Sequence, residues 1–232
     1  MPKVIKKRIY KKAEIETEEQ VKERLENLKE KLAERQRNLI KYGAIILILI
    51  IAIAGFFVYY KSTSQKAKNL EYQAYKTLYG PVLPGVNKQD NISKALELFK
   101  KSYDTKKSPS SLYYSAICYY DLEKYGDSIN TLKNLISKYP DDSIYTPLAY
   151  QTLASAYILK GDLSEAKKTL NALYNLKGNL FKDVALMQTA IILEKEGKYD
   201  EAKKQYEELT KKFPESPLKS EAAAKISAKK EG

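Results

Sequence analysis

The sequence predicts an all-α protein in which a single transmembrane helix precedes a solenoid of helical hairpins. Three observations support this fold class. Residues 42–60 are apolar and uncharged, a turn-and-helix pattern recurs three times within residues 109–216, and the chain has only 9 Gly and 8 Pro among its 232 residues. Because loop-rich β proteins use more of these turn formers, helices are expected throughout.

Five segments follow from the composition and the repeats. They are a basic cytoplasmic tail with an amphipathic helix, a transmembrane helix, a degenerate first repeat with an inserted loop, three clear repeats, and a capping helix with a tail. Their predicted bounds are residues 1–41, 42–60, 61–108, 109–216 and 217–232. The length allows one ordinary domain plus such additional segments, because domains cluster at about 100–150 residues.

The residue types exclude much common chemistry. The chain has no His and one Cys, Cys118. It therefore has no imidazole base or ligand, no disulfide framework and no four-cysteine zinc site. Cys118 is interpreted as a small buried hydrophobe. The sequence predicts no catalytic, metal or cofactor site and hence no enzyme, because acids such as Asp162 and Glu201 fall in turns or on predicted solvent faces.

The net charge of +12 does not predict nucleic-acid binding. The chain holds 41 Lys and Arg against 29 Asp and Glu, and beyond residue 61 the lysines alternate with acids along helical stretches. Binding to nucleic acid requires basic residues that cluster on one face or element. We therefore expect no nucleic-acid partner.

Residues 42–60 form the predicted transmembrane helix. They are bounded by Lys41 and Lys61 and contain eleven Ile, Leu, Phe and Val residues. As a helix the segment extends roughly 28 Å, about the thickness of the hydrocarbon core of a bilayer. Tyr42 and Tyr60 have the amphipathic rings typical of membrane interfaces. A cleaved signal peptide is the alternative, but its apolar core is usually only about 7–15 residues long.

The charges beside the span predict its orientation. The 20 residues before it hold seven Lys or Arg, whereas the 20 after it hold four. By the positive-inside rule the N-terminus is cytoplasmic and the repeat domain is exported.

The cytoplasmic arm is predicted to contain a tail and a helix. Residues 1–13 are basic and act either as a topology signal or as a site for anionic lipid or an acidic partner. A capping box at Thr17–Gln20 predicts a helix start. Heptad positions then recur at alternating intervals of four and three, at Val21, Leu25, Leu28, Leu32, Arg35 and Leu39. The alternatives for this helix are a homodimeric coiled coil of about three heptads and an amphipathic helix on the leaflet.

The region after residue 108 contains an internal repeat. Turns beginning at Glu123, Gly161 and Gly197 each lead into a similar helix. Each turn is followed by a small residue, and another small residue lies 12 positions before that one. These pairs are Ala116 with Ser128, Ala154 with Ala166, and Ala190 with Ala202, and the periods are 38 and 36 residues.

The pattern resembles the tetratricopeptide repeat, a helix-turn-helix unit of 34 residues in which small residues let two helices approach. The resemblance covers residues 109–142, 147–180 and 183–216. A degenerate unit precedes them, with its first helix at Tyr72–Tyr79, its second around Ala95, and a longer inserted loop at Gly80–Gly85. Ser216 is predicted to be the N-cap and Pro217 the first residue of a capping helix that runs to about residue 229.

The resemblance implies that the first helices of the units line a concave groove that could bind a partner. The groove positions, one helical face away from the small alanines, are Tyr113, Tyr114, Ile117, Tyr120, Gln151, Thr152, Ser155, Ile158, Met187, Gln188 and Ile191. They lack the Lys, Arg and Asn with which chaperone-binding repeats grip a C-terminal carboxylate. An amphipathic helix or an extended segment of a partner protein is the expected ligand, and packing against neighbouring helices is the alternative role.

The architecture as a whole resembles the ancillary Sec-translocon subunits of the bacterial inner membrane. This resemblance implies a periplasmic scaffold that binds the translocon or a periplasmic chaperone and hands over emerging envelope proteins. The segment Tyr139–Ala149 equally resembles periplasmic repeat proteins of outer-membrane assembly and cell-division coordination. An N-anchored receptor with cytosolic repeats is a further alternative.

Overall fold

The computed structural model describes residues 18–81 and 87–227, and all regular structure in those residues is helical. The basic tail, Thr17 of the predicted capping box, most of the predicted inserted loop and the last five residues lie outside them. The helices are α1 (Glu18–Tyr79), α2 (Lys88–Thr105), α3 (Pro109–Asp121), α4 (Tyr125–Lys138), α5 (Tyr145–Leu159), α6 (Leu163–Tyr174), α7 (Lys182–Lys195), α8 (Tyr199–Lys212) and α9 (Lys219–Ser227).

The chain divides into two compact units, Met1–Tyr60 and Lys61–Gly232. In the first unit, every described side chain is exposed, including the apolar ones between residues 42 and 60. Helix α1 is long and apolar enough to cross a membrane, with a mean hydropathy of 2.6 in its most apolar window. Length and composition therefore make α1 a candidate membrane span.

The second unit is a stack of helical hairpins. Helices α3 and α4, α5 and α6, and α7 and α8 pack as pairs, and each pair packs on the next. The small repeat residues are buried at the contacts, and the Ser128 hydroxyl donates to the Ala116 carbonyl oxygen at 2.9 Å. Large residues such as Leu132 and Leu170 fill the space between the helices and are fully buried. The predicted all-α, tetratricopeptide-type solenoid is confirmed, as is the core role of its motif residues.

Helix α1 also supplies the first helix of the degenerate unit. Ala74 on α1 and Ala95 and Phe99 on α2 are fully buried in one apolar cluster. The Ser102 hydroxyl of α2 donates to the Ala67 carbonyl oxygen at 2.9 Å. These contacts join residues 61–79 to the solenoid.

The turns between paired helices share a left-handed residue. Glu123, Gly161 and Gly197 have φ angles of 60°, 83° and 75°. Glycine adopts this region without steric cost, whereas a side chain is strained there. The repeat is therefore conserved in backbone conformation even where the first turn replaces glycine with glutamate.

The start of the capping helix differs from the prediction. Helix α9 begins at Lys219, and Ser216 and Pro217 lie in the preceding turn. The Ser216 hydroxyl accepts from the Leu218 N–H at 3.1 Å and donates to Asp183 at 2.6 Å. The bond from Leu218 has the geometry of an N-cap, although the regular helix begins three residues after Ser216, and α9 packs on α8.

Candidate partner-binding face

The first helices of successive units define the side of the solenoid that we call the first-helix face, and α3 contacts α5 along it. It comprises the predicted groove positions on α3, α5 and α7 together with residues 71–79 of α1. Contacts between neighbouring first helices include the Tyr113 hydroxyl and Thr152 Oγ1 at 3.3 Å and the rings of Tyr75 and Tyr114 with centroids 4.6 Å apart.

The predicted groove residues differ in their burial. Tyr113 is 8% exposed and Met187 is 4% exposed, so these two side chains pack in the core, which is the alternative role that the sequence left open. Tyr113 packs edge-on against Tyr114 and tilts against Tyr145, while Met187 belongs to the apolar cluster around α7, α8 and α9. The remaining positions are half-buried: Tyr114, Ile117, Tyr120, Gln151, Thr152, Ser155, Ile158, Gln188 and Ile191. Their role in binding stays a prediction.

An aromatic cluster occupies the end of the face nearest α1 and α2. Its members are Tyr75, Phe99, Tyr113, Tyr114 and Tyr145. Tyr75 lies edge-on to Phe99 with ring centroids 5.1 Å apart, and Phe99 stacks on Tyr114 at 5.4 Å. Such contacts add to the stabilisation from burial and fix the rings in place. Phe99 and Tyr113 are buried, and the half-buried rings of Tyr75, Tyr114 and Tyr145 form the surface of this packed cluster.

The part of this face on α1 is not among the predicted groove positions. Ala74 lies 21 residues before Ala95, whereas the corresponding separation in the clear repeats is 12, and the difference equals the loop insertion of about nine residues. With Ala74 aligned to Ala116, Tyr75 corresponds to Ile117 and Tyr72 to Tyr114. This alignment is the signal that identifies the missing positions.

Two tyrosines at this end are accessible to a partner. Tyr72 is 68% exposed and Tyr79 is 64% exposed. Tyr79 adjoins the cluster, with its ring centroid 6.5 Å from that of Tyr114. Exposed tyrosines beside a rigid apolar surface are typical anchor residues of protein interfaces.

The face is mainly aromatic, aliphatic and amide, with Glu71 and Lys76 of α1 as charged residues at its end. Burial raises the pKa of Tyr75, Tyr113 and Tyr145, so their hydroxyls stay protonated at neutral pH. The Tyr75 hydroxyl donates to Glu71 at 3.2 Å. In the described part of the chain, no group of three or more Cys, Asp or Glu side chains could hold a metal ion. The arrangement is suited to apolar contact and hydrogen bonding.

Cys118 is fully buried, as the sequence predicts. It lies in the apolar cluster of α1 and α2. Burial raises the pKa of its thiol to about 12, with a smaller effect from Asp121. Since the thiolate is the reactive form, the thiol is inert in the folded state.

Comparison with known protein families identifies the class of this protein. Residues 93–216 match the tetratricopeptide repeat-like domain, which is more than half of the 232-residue chain. The chain therefore belongs to that family. No curated protein matches the sequence.

Solved structures show the same fold at low sequence identity. A tetratricopeptide repeat protein from Parabacteroides merdae is 14% identical with a TM-score of 0.55, over 70% of this chain and 59% of that one. Repeats of a putative kinesin light chain from Podosopora anserina are 14% identical with a TM-score of 0.53, over 72% and 85%. A MamA protein is 17% identical with a TM-score of 0.52, over 72% and 90%.

The family and the fold together define a scaffold of the tetratricopeptide type. Such repeats are generally non-catalytic and mediate interactions between proteins. This chain spans 59% of the length of the Parabacteroides protein, and identities of 14–17% show the fold alone.

Proposed function

We propose that this protein is a membrane-anchored scaffold of the bacterial inner membrane. Residues 42–60 cross the membrane once, the N-terminus is cytoplasmic, and the repeat domain lies in the periplasm. There the first-helix face binds a segment of a partner protein. The proposed partner is the Sec translocon or a periplasmic chaperone, and the proposed role is the hand-over of exported proteins.

One observation carries the binding role: exposed Tyr79 stands beside the aromatic cluster, and Tyr72, about two helical turns earlier on α1, is also exposed. A preorganised apolar surface binds with a small loss of side-chain entropy. Exposed apolar groups of this kind mark sites for protein segments.

The proposed anchor is supported by the exposure of residues 42–60. Their large side chains are more than half exposed, for example 65% for Ile48 and 65% for Phe56. Water does not tolerate such a surface, whereas a bilayer does. Replacing Leu49 with Arg is expected to weaken insertion by about 3–4 kcal/mol at the centre of the span, because a favourable Leu is lost and an unfavourable Arg is gained.

The binding role is tested with paired tyrosine variants. Tyr72→Ala together with Tyr79→Ala is expected to lower recovery of partner proteins from gently solubilised membranes by at least about tenfold, because truncation of aromatic interface anchors commonly costs more than about 1.4 kcal/mol. Tyr199→Ala is the matched control, since Tyr199 is 51% exposed but lies on a second helix. Equal recovery with all variants contradicts the proposal.

The orientation is tested by thiol labelling with a membrane-impermeant maleimide. Cys118 gives no background because it is fully buried. Ser62→Cys lies just after the proposed span and is expected to react in spheroplasts, whereas Ala33→Cys is expected to react only after lysis. The reverse pattern contradicts the orientation and favours a scaffold whose repeats face the cytosol.

A further inference from the structure

The proposed function leaves one apolar surface without a role. This surface, which we call the α1 stripe, consists of Val21, Leu25, Leu28, Leu32 and Leu39. Its side chains are exposed, from 41% for Val21 to 72% for Leu39. They recur at the heptad spacing that brings such residues onto one side of a helix. A contiguous apolar stripe of this kind is expected to be covered by a partner.

The charges around the stripe are arranged by sign. At 100° per residue, Lys22 and Lys29 flank one edge of the stripe, and Arg24 and Lys31 flank the other. Glu23, Glu26, Glu30 and Glu34 lie on the opposite side of the helix, whereas Glu18 lies at the N-terminal end of the stripe, three residues before Val21. A helix packed on the stripe places its own flanking residues beside these four cations.

This arrangement opposes pairing of two copies of the chain. In a parallel pair, Arg24 of one copy lies beside Lys29 of the other. In an antiparallel pair, each basic edge of one copy lies beside the same basic edge of the other copy. Like charges at these positions destabilise a coiled coil. Arg35 occupies the stripe itself, and in a parallel pair the two guanidinium groups face each other in the seam. The homodimer that the heptad spacing predicts is therefore disfavoured by its own charges.

A lipid surface also fits the stripe poorly. Helix α1 is continuous from Glu18 through Tyr60, without a break near Gly43. If residues 42–60 cross a bilayer, residues 18–41 can lie along the leaflet only when the helix breaks between the two segments. A straight helix instead projects the stripe into the aqueous phase, where another helix can reach it.

We infer that the α1 stripe binds an amphipathic helix of another protein, with apolar residues at its heptad core and acidic residues on both flanks. The acids pair with Lys22, Arg24, Lys29 and Lys31. An acid that faces Arg35 neutralises the one charge within the seam. The product is a short heteromeric coiled coil of about three heptads. This inference does not depend on the first-helix face, so either can fail alone.

The test uses two synthetic helices of about three heptads that differ only in their flanks. Both have Leu at the core positions, and one has Glu and the other Lys at the flanking positions. Binding to the full chain in neutral detergent micelles is measured by fluorescence anisotropy. The acidic helix is expected to bind at least about tenfold tighter than the basic one, and added salt is expected to reduce the difference.

Charge-reversed variants make the test specific to the flanks. A variant in which the four flanking cations are replaced with Glu is expected to bind the basic helix more tightly than the acidic one. Its changes are Lys22→Glu, Arg24→Glu, Lys29→Glu and Lys31→Glu. Glu23→Lys with Glu30→Lys is the matched control on the opposite side and is expected to leave the preference for the acidic helix unchanged.

Three results overturn the inference. One is equal affinity for the two helices, and another is dimerisation of the chain through the stripe without either helix. The third is protection of residues 18–41 from protease by phosphatidylglycerol vesicles but not by the acidic helix, which identifies a lipid-binding surface instead.

Discussion

The two compact units contain similar apolar residues, but the first unit exposes them and the second unit buries them. Leu49 in the first unit is 55% exposed, whereas Leu132 in the second is fully buried. The second unit pairs its large residues with small ones such as Ala116, so that helices approach and cover them. In the first unit, a single helix has no such partner among the described residues. The spacing of small residues, rather than apolar content, therefore distinguishes a core from a surface that another phase or protein must cover.

The largest effect is expected from truncating matched leucines in the two units. Leu132→Ala leaves a cavity between α3, α4 and their neighbours and is expected to lower the free energy of unfolding by about 2–5 kcal/mol. Leu49→Ala is expected to leave the free energy of unfolding of the second compact unit, Lys61–Gly232, unchanged. We call this compact unit the repeat unit. Urea denaturation followed by circular dichroism measures both, and equal losses contradict the comparison.

A pH dependence is expected in the repeat unit because Cys118 is buried with a pKa of about 12. The thiol of an unfolded chain ionises near pH 8.5–9, so between that pH and 12 the unfolded state binds fewer protons than the folded state. The contribution of the protonated Cys118 thiol to the free energy of unfolding is complete below about pH 9. Above that pH, the free energy of unfolding falls by about 1.4 kcal/mol per pH unit. Urea titrations at pH 9 and 11 measure the loss, and Cys118→Ala is expected to reduce it. An unchanged loss in that variant excludes this thiol as a cause.

The smallest effects are expected at the turns. Glu123→Gly relieves a left-handed glutamate and is expected to stabilise the repeat unit by about 0.5–1 kcal/mol. Gly161→Ala is the matched opposite and is expected to destabilise it by about 1 kcal/mol, from backbone strain alone, because nothing lies within 4 Å of the added Cβ. Thermal unfolding measures both. A stabilising Gly161→Ala contradicts the shared turn conformation.

The sequence predicts the repeat fold well because its signals are local and periodic. Turns such as Gly161 and small residues such as Ala154 recur at nearly constant spacing, and the structure places Gly161 in a left-handed turn and buries Ala154. The burial of Tyr113 and Met187 could not be read in this way, because it depends on side chains from neighbouring helices. The turn at Ser216 depends on a distant bond to Asp183.

The extent of α1 was also beyond sequence reasoning. The amphipathic stretch, the apolar segment and the first helix of the degenerate unit were predicted as separate elements, because their hydrophobic patterns differ. The structure includes all three in Glu18–Tyr79. Tyr72 and Tyr75 of the first-helix face were not predicted for the same reason, since the inserted loop obscured the alignment of Ala74 with Ala116.

The contrast between the units is tested most directly by fractionation in alkaline carbonate. The full chain is expected to remain in the membrane pellet, and a chain of residues 61–232 is expected to be soluble and to unfold at the same temperature as the repeat unit of the full chain. Recovery of the full chain in the soluble fraction would contradict the account that residues 42–60 are exposed because they face lipid.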